Sequence, residues 1–452
     1  MPNWFRNRKL VRALSLAGFL FFSCSSSQNF SMVDSYTLAG EYDYAYNQLE
    51  QTKDDLYTDK DLLLYSLDKG LLLRYNGDYE ESNYLLSYAE KLIEEYYATS
   101  ITQAIGSYLL NDTVMDYAGE DFEDIYTNLF MALNYIQLGD TESAFVEIRR
   151  FNNKIKLLSS KYTDLLHAIK QEALSKGYDT NQYANSANID YTIEFHDSAF
   201  ARYISLILYR SIGDMASATI DKNFIETAFI SQQQLYPFSI PHAVYDEFMI
   251  PEDKERVNVF FYSGKSPEKM EEVERIPSLV NDTYLKLALP VLARNPSVIS
   301  SVSIAARDSE GNITRENLEI IESMENIIID TFQQKQETIY LKTLVRAMAK
   351  FATSSILVEA SKNSGEAKDD SSSNLIALFG NIFTELSEQA DIRSTRYFPS
   401  YVWVGGLNVD KGLYDINITA YDAYGKIVFE QNTADVLVDE NNINILEAIC
   451  LL

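Results

Sequence analysis

Leu67-Asp68-Lys69-Gly70-Leu71-Leu72-Leu73-Arg74-Tyr75-Asn76-Gly77-Asp78-Tyr79-Glu80-Glu81-Ser82 is the stretch on which the reading of the fold turns. Leu62 to Arg74 has the apolar spacing of an amphipathic or buried helix. Gly77 ends it, because glycine enters the left-handed conformation at little cost. Asp78 suits the start of a following helix, where unpaired N–H groups and the helix dipole favour an anion. Ser82 is small enough to let two antiparallel helices approach closely, and Leu86 and Ala89 follow at packing positions. The same pattern (glycine, acidic residue, three variable residues, small residue) recurs at Gly40 to Ala45, Gly139 to Ala144 and Gly213 to Ala218. Tyr126 to Leu138 and Ala199 to Ile212 are the apolar helices that precede the last two copies.

Helix, glycine turn, helix is the unit of a tetratricopeptide-like repeat. The glycines are 37, 62 and 74 residues apart, whereas a regular array would hold a period of about 34. The expected fold is therefore mainly α: an irregular tetratricopeptide-like helical solenoid over 34–235, with a generic bundle of four similar turns as the alternative. It is followed by a mixed α/β region with long helices over 236–361 and a polar linker over 362–373. A C-terminal helix and a small antiparallel β element fill 374–452. Pro237, Pro241 and Pro251 mark the change of character. Arg256 to Tyr262 reads as a strand, and Ser297 to Ala305 is β-rich with a turn at Ser309 to Asn312. Arg315 to Ala360 reads as a long helical stretch. Tyr414, Ile416, Ile418 and Ala420 alternate with polar partners, and Asp422 to Gly425 turns this strand into Lys426 to Phe429.

The N-terminus carries a targeting signature. Arg6, Arg8, Lys9 and Arg12 precede the apolar run Ala13 to Phe22, which is too short to span a bilayer. The run ends at Ser23-Cys24, a small residue before a cysteine, as a lipoprotein signal peptidase requires. The expectation is a signal peptide over 1–23, an acylated Cys24, and a tether over 24–33. The first 23 residues hold four of the 38 basic side chains and no acidic one; beyond them stand 34 basic against 66 acidic residues. Such an excess argues against nucleic acid and against adsorption to anionic lipid by charge, so the lipid must hold the chain to its membrane. With Cys24 acylated, Cys450 has no partner in the chain and reads as a buried structural thiol.

No complete catalytic constellation is present. Val259 to Ser266 resembles the end of a phosphate-binding loop, but valine stands where the loop needs its first glycine, and Gly264 reads as a turn. Ser266-Pro267-Glu268-Lys269 and Ser66-Leu67-Asp68-Lys69 match Ser-x-x-Lys without either companion motif of the penicillin-recognising enzymes. His167, His196 and His242 lack metal-ligand spacing, and His196-Asp197-Ser198 reads as a helix cap rather than a triad. Asp435, Asp439 and Glu440 do not follow a calcium-loop spacing. No metal and no cofactor is expected. Glu147, Arg149 and Arg150 are the charged set of most interest. They form either a structural ion-pair group with Glu120, Asp121 or Glu123, or a ligand contact in the solenoid groove.

Several segments resemble a family of uncharacterised bacterial lipoproteins with tetratricopeptide-like helices. Leu64 to Gly70 with Gly77-Asp78-Tyr79 and Ser82 carries the resemblance, as do Asn111-Asp112 with Tyr117, Gly119 and Glu120 to Glu123. So do Asn134-Tyr135 with Leu138-Gly139-Asp140, Ala144, Glu147 and Arg149-Arg150. Weaker matches are Ala201 to Tyr203, Gly264, Pro267, Lys269, Arg346, Lys350, Ala390-Asp391 and Arg393-Ser394; Thr395 departs from an aromatic preference. The resemblance implies location and fold, with a hint of partners in cell-wall synthesis. The expected function is a membrane-anchored, non-catalytic scaffold for a protein partner in the cell envelope, on the outer membrane facing the periplasm. An envelope factor acting on peptidoglycan is the alternative.

Overall fold

The computed structural model describes residues 29–103, 112–161, 163–175, 177, 195–277, 284–363, 389–440 and 443–452. The described helices of eight or more residues are α1 (Ser31–Leu38), α2 (Tyr42–Gln51), α3 (Leu62–Asn76), α4 (Tyr79–Gln103), α5 (Asp121–Gln137), α6 (Thr141–Lys161), α7 (Thr163–Ser175), α8 (Ala199–Ser211), α9 (Met215–Ser231) and α10 (Met324–Asn363). The strands are β1 (Glu255–Lys265), β2 (Glu268–Pro277), β3 (Tyr284–Ala293), β4 (Ser301–Arg307), β5 (Ile313–Ser323), β6 (Pro399–Val409), β7 (Gly412–Tyr421), β8 (Ile427–Val438) and β9 (Ile445–Cys450).

The four glycine turns share one geometry. Gly40, Gly77, Gly139 and Gly213 all have positive φ, between 74° and 91°. At each, the glycine N–H and the next N–H turn back onto the preceding helix. Gly77 N donates to Arg74 O and Asp78 N to Leu73 O, and Gly139 and Asp140 do the same to Ile136 O and Tyr135 O. The small residue of each pattern, Ala45, Ser82, Ala144 or Ala218, is fully buried. At the second turn the Ser82 hydroxyl donates to Gly70 O at 2.7 Å, and a Cβ on Gly70 would meet Leu86 Cδ2 at 2.9 Å. The α3–α4 crossing is therefore tight at Gly70, where any Cβ would force the Leu86 side chain to shift.

A mainly α solenoid is not what these hairpins build. Among the described residues the helices share the molecule with nine strands, seven of which form a large, nearly closed, mixed sheet in the C-terminal half. The strand order is β8-β7-β4-β5-β6-β1-β9, antiparallel except that β9 runs parallel to β1. A separate antiparallel pair, β2 and β3, packs on α10 through Leu285, Leu287 and Leu344. Ile313–Ser323, within the stretch expected to be helical from Arg315, is strand β5, and the long helix starts only at Met324. Gly264, expected in a turn, stands inside β1 with φ +69°, where a Cβ would crowd Ser297 and Ser400. The C-terminal β element is thus not small: β6 to β9 are four of seven strands in one sheet.

Alternation along the strands divides the sheet into two faces. Val257, Val259 and Phe261 of β1, with Trp403 and Leu407 of β6, point into the curled sheet, where they meet Ile304, Ile418 and Ala448. Phe261 meets Phe429 of β8 edge to face at 5.4 Å, across the inside of the curl. Phe260, Tyr262, Val402 and Val404 point the other way and join the helices in one core. There Phe130 of α5 packs on Tyr262 and Phe398, and Phe200 and Tyr203 of α8 pack on Phe260.

The layer order follows from these contacts. The first helix of each hairpin, α3, α5 and α8, lies against the sheet and is buried nearly all round. The second helices, α4, α6 and α9, cover the first from outside. A solenoid would leave its inner face open as a concave groove. Here the chain's own sheet fills that face. This is the physical reason the solenoid expectation fails: helices as apolar as α3 need a partner on every side, and β1, β6 and β9 supply it.

Candidate functional site

A buried charge stands in the helical layer at Arg74, near the end of α3. It is 3% exposed, in a helix whose other buried residues are mostly apolar. Its guanidinium pairs with Glu447 of β9 and donates to Asn134 Oδ1 of α5 at 2.5 Å. It lies over the rings of Phe130 and Tyr262. Glu447 also accepts from Tyr262 OH at 2.8 Å and Gln137 Nε2 at 2.9 Å. One buried charge pair thus ties the last strand to two helices. Beside it, a cleft of about 400 Å³, lined in part by Tyr79, Gln431 and Glu447, opens where the edges of β8 and β9 come together. Gln431 Nε2 of β8 donates to the Glu447 carbonyl of β9 at 3.3 Å across that seam. The turn glycines Gly40 and Gly77 border the cleft.

From Arg74 a directed chain of hydrogen bonds runs outward. A guanidinium can only donate, so it fixes Asn134 Oδ1 as the acceptor and Asn134 Nδ2 as a donor. Asn134 Nδ2 donates to Ser82 Oγ and to Asn83 Oδ1, both at 2.9 Å. Asn83 Oδ1 is therefore the acceptor, and its Nδ2 is a committed donor. Asn83 is 7% exposed, and Nδ2 has no partner among the described residues. Asn83 belongs to the floor of a groove of about 710 Å³ between α4 and the α5–α6 turn. Tyr84, Tyr88, Tyr135 and Leu138 line its walls. Tyr84 is 69% exposed.

The polar seam continues along α4 and α5. Ser87 Oγ donates to Met131 Sδ at 3.2 Å, and Asn128 Nδ2 donates to Glu90 at 2.8 Å and to Glu147 at 2.6 Å. This places the sequence-selected charges. Glu147 is buried, and burial pushes its carboxyl up. Arg150, about half exposed, reaches Glu90 and Glu147, each at 3.3 Å. Arg149 is exposed. Two of the anticipated acidic partners are engaged elsewhere: Glu120 is held by Lys269 and Lys335, and Glu123 takes Tyr117 OH, Glu120 N and Thr395 N.

A second buried set clamps residues 390–398 between α3 and α5. Asp68 accepts from Tyr57 OH at 2.8 Å, Thr395 Oγ1 at 2.6 Å and Arg396 N at 2.9 Å. Burial pushes Asp68 up to about 6 and, with the neighbouring Glu120 charge, Glu123 up to about 7. Thr395 bridges both carboxylates, which explains a small hydroxyl residue at this position. Glu322 of β5, fully buried, collects Tyr126 OH, Tyr236 OH, Ser198 Oγ and Phe200 N. The sequence pattern does not single out Arg74, Asp68, Glu322 or Glu447, and it offers Glu123 only as a partner for Arg149 or Arg150. For the first two a signal existed: a charge inside an unbroken apolar helical run.

The catalytic look-alikes do not assemble. Lys269 is committed to Glu120 and Arg393 O, and Lys69 to Glu50, so neither lysine faces the serine three residues before it. Ser198 caps α8 and binds Glu322, while Asp197 pairs with Arg202. Among the described residues no group of three or more His, Cys, Asp or Glu is placed to hold a metal, and no helix is long and apolar enough to cross a membrane. Cys450 is buried in β9 with a free thiol. Cys24 and the signal segment lie outside the described residues, as do Asn111 and all but the first two residues of the expected linker. The segment expected as a C-terminal helix, up to residue 388, lies there too. The last expected tether residues, Ser31 to Val33, already belong to α1. No family model matches the sequence, and no curated protein matches it significantly.

Proposed function

We propose that this chain is a membrane-tethered, non-catalytic scaffold for a protein partner in the bacterial cell envelope, held through acylated Cys24 on the outer membrane facing the periplasm. The observation that carries the reading is the tyrosine-walled groove, because the concave face on which a helical array would hold a partner is filled by the sheet. Large aromatic side chains left partly exposed beside a recess are the surface on which association energy concentrates. The family resemblance and the N-terminal signature support the location.

Two experiments test it. Cys24→Ala abolishes acylation, so the variant should move from the detergent phase to the aqueous phase on fractionation; unchanged detergent partitioning would remove the anchor. A photocrosslinking side chain at Tyr84 in intact cells should capture the same protein repeatedly. The same group at Tyr424, 95% exposed in the β7–β8 turn, should capture none. A scan of surface positions that yields no reproducible protein anywhere would sink the scaffold reading.

A further inference from the structure

We infer that the groove between α4 and the α5–α6 turn takes an extended peptide segment of about five residues with a basic side chain at one end. This rests on the scaffold reading and names the chemistry of its partner. Glu80, Tyr84, Tyr88 and Lys91 recur at helical spacing and form one stripe of α4 along the groove. A rise of about 1.5 Å per residue makes the stripe about 16 Å long. That is the span of about five extended residues at about 3.3 Å each.

The stripe is electrically polar. Glu80 stands at one end, joined across the groove by Asp140, and Lys91 stands at the other. Hydrogen bonds from Ser143 hold the Asp140 carboxyl below its usual range, so it stays charged. Between the ends lie three tyrosine rings. A cation beside two carboxylates and over tyrosine faces is attracted by both. This chain uses that contact repeatedly within itself: Lys53 lies 4.1 Å from the Tyr65 ring centroid, and Arg396 lies 4.4 Å from that of Phe30. A neutral glycan offers no cation to Glu80 and Asp140, which is why a peptide is preferred.

The floor adds a second requirement. The bonding order set by Arg74 leaves Asn83 Nδ2 a buried donor with no acceptor among the described residues. A main-chain carbonyl, which every peptide segment carries and must satisfy, is the acceptor such a donor lacks. Tyr84 and Tyr88, which line the same groove, are 69% and 37% exposed, so their side chains can turn as the segment seats.

The test is to pan a random heptapeptide display library against the full-length protein in detergent and to measure the enriched peptides on Tyr84→Ala and Glu80→Lys variants. Both positions are exposed, so the variants should fold, as unchanged thermal transitions would verify. Enriched sequences should share a Lys or Arg. Affinity should fall about tenfold for each variant, and Glu80→Lys should enrich acidic in place of basic peptides when panned itself. Enriched peptides that bind both variants unchanged would overturn the groove assignment. So would no enrichment, or Tyr84-dependent capture on a glycan array instead. None of these touches the crosslinking scan, so the scaffold reading falls or stands separately.

Discussion

Arg74→Ala should destabilise the protein by about 3–5 kcal/mol, because it strips the partner from a buried carboxylate. Glu447 would keep Tyr262 OH and Gln137 Nε2 but lose its one cation among the described residues, and Asn134 Oδ1 would lose its donor. Urea titration reads the loss as a lower midpoint. The double variant Arg74→Met with Glu447→Leu should recover much of the stability, since replacing both charges by apolar groups removes the desolvation penalty with the attraction. If Arg74→Ala alone lowers the unfolding free energy by less than about 1 kcal/mol, the pair does not hold β9 to the helices. The same variant releases Asn83 from its fixed orientation. Peptides selected on the groove should therefore weaken on Arg74→Met with Glu447→Leu even where the fold is restored.

Mild acid should stabilise this protein. Asp68 rises from 3.8 to about 6 and Glu123 from 4.5 to about 7, both by burial first. A carboxyl whose folded value lies above its unfolded value binds more protons when folded. Its stabilising contribution is complete below the unfolded value and disappears as pH rises through the folded one. The window is therefore about pH 4 to 7. Lowering the pH from 8 to 5.5 should raise the unfolding free energy contributed by these two groups by about 2–3 kcal/mol. Exposed carboxylates in ion pairs work the other way, so the clean reading is a difference. Glu123→Gln, which cannot ionise, should flatten the curve between pH 5.5 and 8 by about 2 kcal/mol. A Glu123→Gln profile parallel to that of the parent would refute the assignment. The stakes at low pH are local: protonated Glu123 can donate to Tyr117 OH, so residues 390–398 stay clamped.

Part of this architecture is legible in the sequence. The four glycine turns are local chemistry, and their backbone bonds follow from residue types within six positions. The strands β1, β7 and β8 also announce themselves, through aromatic and β-branched residues and period-two alternation. Apart from the β7–β8 hairpin, no local pattern carries which strand pairs with which. The partners of β1 are β6 and β9, more than a hundred residues away, with β9 parallel and only six residues long. Glu316, Glu319 and Glu322 of β5 have the spacing of the polar face of a helix, which hides the strand. A register shift between Ile320 and Glu322 turns a carboxylate into the core of the molecule. The site suffered likewise. Among 66 acidic residues, nothing in the sequence distinguishes Glu447, which neutralises Arg74, from one that faces water. Asn83 became notable only once the chain of donors and acceptors behind it was in place.

The pairing of Arg74 with a strand 373 residues further on has a temporal side. Synthesis at about 5–20 residues per second leaves α3 waiting roughly 20–75 s for β9. In that interval the helical hairpins can form, but their inner faces are greasy and one of them carries an unanswered cation. The final packing of the N-terminal helices therefore waits on β9, the last strand of the chain.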